Sequence, residues 1–176
     1  MTFKRFEYFI ADHHFGHKNI IRYCNRGFRN YKHMDRYMMR KHNMTAGKDD
    51  LVFHLGDMAF TKSKHDANYW LGKLNGRIYL ARGNHDRRIN PYLPCFNQTL
   101  LTFKNYLFML SHRPEQVGDW NGWVIHGHHH NNYPDQYSLI NHEHKTINVA
   151  VELLHYQPIS LSEIIGKINI SADTYN

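Results

Sequence analysis

Five short apolar runs, each stopping at residues able to bind a metal ion, constrain this chain more than any other feature. Tyr8-Phe9-Ile10-Ala11 stops at Asp12, and Leu51-Val52-Phe53-His54-Leu55 stops at Gly56-Asp57. Arg77-Ile78-Tyr79-Leu80-Ala81 leads to Gly83-Asn84-His85-Asp86, residues 106–110 run into Ser111-His112, and Trp123-Val124-Ile125 runs into His126-Gly127-His128-His129-His130. Apolar runs of this length bounded by turn residues read as buried strands. Helices are expected between and after them at residues 18–24, 33–44, 66–74 and 161–168. Alternating strands and helices predict a layered α/β domain. In such sheets sites gather outside the carboxyl ends of the strands, so the polar stops are expected on one rim.

The 176 residues suit one domain spanning 1–176, with no repeat, linker or low-complexity tract to divide it. A 41% hydrophobic and 21% charged composition excludes intrinsic disorder. Net charge is +7, which favours phosphate-bearing partners. Two cysteines, Cys24 and Cys95, make no disulfide framework, and no apolar run is long enough for a signal core or membrane span. A soluble, cytoplasmic protein without a membrane partner is the expectation. Residues 131–137 are expected to form an exposed loop.

The strand ends collect Asp12, His14, Asp57, Asn84, His112, His128 and His130 as candidate ligands. In an extended segment, side chains two apart share a face, so Asp12 pairs with His14 and His128 with His130. Imidazole nitrogen and carboxylate or amide oxygen without thiolate suit two divalent ions sharing one carboxylate. Mn²⁺ is the first expectation, with iron, Ni²⁺ or Zn²⁺ behind it.

The ordered blocks Asp12-His13-His14, Gly56-Asp57, Gly83-Asn84-His85-Asp86, His112 and Gly127-His128-His129-His130 resemble the calcineurin-like metallophosphoesterase superfamily. Residues 12–28, 53–57 and 152–161 are similar to a subgroup of small bacterial and phage phosphoesterases. The resemblance implies two facing mixed β-sheets flanked by helices, a four-layer α/β/β/α sandwich with metals at the C-terminal strand rim. It places Asp12, His14, Asp57 and His130 around one ion and Asp57, Asn84, His112 and His128 around the other. Asp57 would bridge them, and a hydroxide held between the ions would be the nucleophile. His85 is similar to the family's catalytic histidine, which contacts the phosphate and protonates the leaving oxygen. A homodimer is also a family expectation.

Asp86 either assists His85 in catalysis, by orienting it or raising its pKa, or simply caps a helix, and His17 either reaches the substrate phosphate or packs at a helix start. Asn84, His85 and Arg87 are further candidates for substrate contact. Arg82, Arg87 and Arg88 either clamp phosphates or form a solvated basic face. His126 reads as a buried partner of the ligands, and His13, His129, His142, His144 and His155 as core or surface residues. The leading expectation is a phosphodiesterase acting on nucleotides, DNA or RNA. Alternatives are a phosphomonoesterase on a nucleotide, sugar phosphate or phosphoprotein, and a nucleic-acid-binding module with a vestigial site. The last is disfavoured because every ligand and the acid are in place.

Overall fold

Four parallel strands rich in buried apolar side chains form the first half of the molecule: β1 (Glu7–Ile10), β2 (Leu51–His54), β3 (Arg77–Ala81) and β4 (Cys95–Phe96), hydrogen-bonded in that order. The computed structural model describes residues 6–60, 65–86, 89–90 and 93–173. A second sheet follows from β5 (Gln98–Phe103), β6 (Tyr106–Ser111), β7 (Trp123–His126), β8 (Ile140–Asn141) and β9 (Thr146–Asn148), in the order β5-β6-β7-β9-β8. In it, β6, β7 and β9 run parallel, while β5 and β8 are antiparallel edges. The chain then returns as β10 (Ile159–Ser160), antiparallel to β1, so both five-stranded sheets are mixed.

One apolar core runs through both sheets, from Phe9, Ile10 and Leu80 to Phe108, Leu110, Ile125 and Ile147. The sheets are joined at the rim where the ligands were expected. Ala11 forms a parallel bridge with Ala150, donating to the Val149 carbonyl at 2.9 Å and accepting from Val151 N at 3.1 Å.

Helices flank the sheets. In α1 (Ile20–Tyr23) only one turn of the expected 18–24 helix forms. In α2 (Tyr31–Thr45), Asn30 caps the first turn by accepting from His33 N, and Met34, Met38 and His42 recur every fourth residue to make the buried face. In α3 (Ala67–Leu71) the cap is Asp66, and the helix stops at Gly72 rather than reaching residue 74. A reciprocal capping box opens α4 (Leu161–Asp173): Ser160 N donates to Glu163 Oε2 and Glu163 N donates to Ser160 Oγ. Among the described residues, no helix is long and apolar enough to cross a membrane.

The five expected strands are present within a residue or so at each end. β4, β8, β9 and β10 are two or three residues long, too short to show a period, and β5 alternates half-buried with exposed positions. Sequence pattern alone did not pick these out.

Phe9 is wholly buried and stacks on Phe53 with ring centroids 5.3 Å apart. Phe9→Ala is expected to cost about 3–5 kcal/mol in urea unfolding, seen as a lower midpoint with an unchanged slope.

Candidate metal centre

Asp57 lies at the middle of the rim, just past β2. Its Oδ2 is 3.5 Å from His14 Nε2 and 3.5 Å from His112 Nε2, while Oδ1 accepts from the backbone N of His85 at 2.8 Å. Two donor groups meet there: Asp12, His14 and His130 on one side, and Asp57, His112 and His128 on the other, with donor atoms within 4.8 Å of one another in each. A third grouping of His14, Asp57 and His85 places the His85 ring against both sides. Asn84 Oδ1 lies 3.3 Å from His112 Nε2 and so extends the second group.

The candidate ligands point together for a reason other than strand alternation. Asp12, His14, Asp57, His128 and His130 all have left-handed backbones, with φ of 61°, 50°, 54°, 72° and 52°. Each such residue costs on the order of 1–3 kcal/mol, which only a constrained surrounding can hold. The rim loops supply the constraint: Asp12 N donates to Gly56 O, His14 N to Asp57 O and Phe15 N to Met58 O, each at 3.0 Å. The kinked backbone also separates His128 from His130. They join different groups, as the family resemblance implied and the spacing alone did not.

Gly83 and Gly127 stand beside the candidate ligands, and neither has a left-handed φ. The need is for space. A Cβ on Gly83 would sit 2.2 Å from Asp57 Oδ1 and 2.3 Å from Asp57 N, and one on Gly127 would sit 2.5 Å from both Ala11 Cβ and Asp12 Oδ2.

The donor set fits divalent ions. Buried Asp12 Oδ1 and both ring nitrogens of His14 have no hydrogen-bond partner, a costly arrangement unless a cation takes them up. His112 Nδ1 donates to Leu55 O at 2.8 Å and His130 Nδ1 donates to Glu152 Oε1 at 3.0 Å. Both therefore leave Nε2 as the nitrogen that faces the donor groups.

Charge follows the same logic. Burial pushes the Asp57 carboxyl up, but the hydrogen bond from His112 and the nearby His14 outweigh it and hold it well below the usual range. Burial pushes Asp12 up to about 6 despite His130 and His112. His112 is pulled down by burial yet raised to about 9 by Asp57 and Asp12, and His130 is likewise raised to about 11 by Asp12, Cys24 and Glu152. Carboxylates buried this way recruit positive charge, and an incoming cation takes the place of those protons.

Asp86 differs from the expectation that it orients His85. Its carboxylate accepts from the backbone N of Asp57 at 2.6 Å, Met58 at 3.0 Å and Gly83 at 3.0 Å, so it ties the β2 and β3 loops together. His17 does reach the site: its ring centroid is 5.7 Å from that of His14, 6.2 Å from His85 and 4.0 Å from Phe60. His17 Nδ1 accepts from Ile20 N, so in the neutral ring the proton sits on Nε2. Arg87 and Arg88 lie outside the described residues, and Arg82 turns toward Cys95 Sγ at 3.4 Å.

His126 is buried and bonded to Gly127 O, outside both donor groups. His13 is core, bonded to His54 Nε2 at 2.8 Å, and His129 stacks on Tyr137 and pairs with Glu115.

Three site residues escaped the sequence reading. Arg113 Nη2 lies 3.3 Å from Asn84 Oδ1, and Glu152 and Arg26 support the first donor group from behind. The signal for Arg113 was its place directly after His112. The other two lie in blocks that resembled the phosphoesterase subgroup, with no local pattern to mark their role.

Gly83→Ala is expected to keep the fold, read by far-UV circular dichroism, while weakening divalent-ion uptake by at least ~10–100-fold in calorimetric titration, because the new methyl displaces Asp57. Uptake equal to the unaltered chain would refute that close approach.

Comparison with known proteins agrees with this geometry. The family model for calcineurin-like phosphoesterases matches residues 8–167. An uncharacterized protein of Methanocaldococcus jannaschii is 40% identical over 164 residues, covering 92% of this chain and 90% of its own. The Gene 66 protein of Mycobacterium phage L5 is 35% identical over 81 residues, 45% of this chain and 39% of its own. The crystal structure of a protein of unknown function from Aquifex aeolicus superposes with a TM-score of 0.71 at 25% identity, covering 93% of this chain and 99% of that one. With the family's blocks assembled on one rim and its model spanning nearly the whole sequence, the chain belongs to the calcineurin-like phosphoesterases.

Proposed function

We propose that the protein is a two-metal phosphodiesterase acting on nucleotides or nucleic acid, with Mn²⁺ as its preferred ion. The observation that carries this reading is the Asp57 carboxylate, with Oδ2 equidistant at 3.5 Å from a histidine of each donor group. Two cations side by side repel, and a shared anion between them offsets that repulsion. Asp12, His14, Asp57 and His130 would hold one ion, and Asp57, Asn84, His112 and His128 the other. When bound, such a pair supplies Lewis acidity toward phosphoryl oxygens and activates water for attack.

The chain's own residues carry the remaining work. His85 is anchored through its backbone N to Asp57 and has its ring 5.0 Å from that of His14, which suits protonation of the departing ester oxygen. His17, with a proton on Nε2 and its ring beside those of His14 and His85, would donate to a phosphoryl oxygen. Arg113 beside Asn84 offers charge for a second phosphate or the second ester arm.

Two features favour a nucleotide-bearing diester. The net charge of +7 draws polyanions, and Tyr23, 58% exposed with its ring 6.1 Å from that of His17, offers a face on which a base can stack. Cys24 and Cys95 are both free thiols, in keeping with a cytoplasmic location as part of the same proposal.

A matrix of Mn²⁺, Fe²⁺, Ni²⁺ and Zn²⁺ against mono- and bis-nitrophenyl phosphate, cyclic nucleotides, and single- and double-stranded DNA and RNA tests the reading. Diester turnover highest with Mn²⁺ is expected, and a strong monoester preference would overturn the diesterase assignment. Asp57→Ala is expected to abolish tight binding of both ions. His85→Ala is expected to retain both yet slow diester cleavage by ~10²–10⁴-fold, with the smallest loss for good leaving groups that need little protonation. Equal losses across leaving groups would remove His85 from the acid role.

A further inference from the structure

Arg26 sits in an unusual place for an arginine. It is 2% exposed, under the first donor group, with every polar atom engaged. Nη2 donates to the carbonyl of Asp12 at 2.7 Å and Nη1 to the carbonyl of His13 at 2.8 Å. Nε donates to Glu152 Oε1 at 2.8 Å, and Nη2 reaches the same oxygen at 2.7 Å. The guanidinium is wedged against α2, with Met34 Sδ 3.4 Å and Met38 Sδ 3.9 Å from Nη1. Glu152 Oε1 in turn accepts from His130 Nδ1.

We infer that Arg26 and Glu152 form a buried clamp that organises only one half of the metal centre, the half built from Asp12, His14 and His130. The planar fork holds two successive carbonyls of the loop carrying Asp12 and His14, while the paired carboxylate fixes the tautomer and ring direction of His130. One ion pair thus joins the loop after β1 to the loop after β7, which share no strand pairing. Among the described residues, the side-chain hydrogen bonds and ion pairs of the clamp go to Asp12, His13, Met34, Met38 and His130, and none goes to Asp57, Asn84, His112 or His128. The second half is held by other means: Leu55 O on His112 and the Asp86 carboxylate on the backbone of Asp57.

The half-site specificity separates this from a role in general stability. A buried ion pair often contributes little net stability compared with apolar residues of the same volume. Here it works as a positioning device, holding the carbonyls of Asp12 and His13 in the loop that carries left-handed Asp12 and His14, and fixing the ring of His130 beside them. Arg26 and Glu152 are positioning residues and touch neither ion nor substrate.

The inference rests on the two-ion reading, and titration with Mn²⁺ alone separates the two. The unaltered chain is expected to take up two equivalents and give the electron paramagnetic resonance spectrum of a coupled Mn²⁺ pair. Glu152→Gln is expected to keep one tight equivalent and weaken the other by ~10–100-fold, so that the one-equivalent spectrum is the six-line signal of an isolated ion. Arg26→Lys, whose single ammonium cannot span both carbonyls and the carboxylate, is expected to do the same and serves where Glu152→Gln fails to fold.

Asn84→Ala weakens the opposite half, so the double variant Glu152→Gln/Asn84→Ala is expected to lose both tight equivalents. If the double variant keeps one, the two residues act on the same half and the clamp assignment is wrong. Equal weakening of both equivalents in Glu152→Gln, or of neither, would likewise overturn it while leaving the two-ion centre standing. Uptake of only one equivalent by the unaltered chain would overturn the two-ion reading and the clamp together.

Discussion

The rest of the structure depends on a buried negative charge at Asp57. A carboxylate 2% exposed is expensive unless its oxygens are matched. One oxygen is matched by the backbone N of His85, and the other faces two imidazole nitrogens from different loops. That requirement draws the loops after β1, β2, β3 and β6 to one point. It also accounts for the bare Cα of Gly83, since any side chain there would occupy the space the carboxylate needs.

The centre is held in a strained state by groups that do not themselves react. Five of the seven candidate ligands sit on left-handed backbone, and three buried ionisable side chains tie down the loops that carry them. Asp86 gathers three backbone N–H groups, Asp35 receives the N–H of Gly16 on both oxygens at 3.1 Å, and Arg26 takes two carbonyls. Local backbone energy is thus offset by hydrogen bonds to side chains that are themselves buried. The result is a preorganised set of donors, the condition under which electrostatic catalysis is most effective.

The readings that the structure altered share one cause. Strand alternation paired His128 with His130, and adjacency offered Asp86 as a group to orient His85. Each rests on neighbours in sequence. In the folded chain His128 and His130 diverge because the backbone between them is kinked. Gly83 is glycine because Asp57 presses on it, and Asp86 turns away to bond Asp57 and Met58, 29 and 28 residues earlier.

The amino-acid sequence by itself determined the chemistry of the donors and their location at strand ends. Apolar runs such as residues 77–81 announce strands through local composition, and the polar residues that end them must fall on the rim of a parallel sheet. The family blocks added the expectation of two donor sets sharing Asp57. Only the tertiary structure decided what holds each set of donors in place. The Arg26–Glu152 pair joins residues 126 apart, and β8 to β10 are strands only because their neighbours pair with them. Such features follow from long-range packing and charge pairing, whose partners no periodicity in the chain encodes.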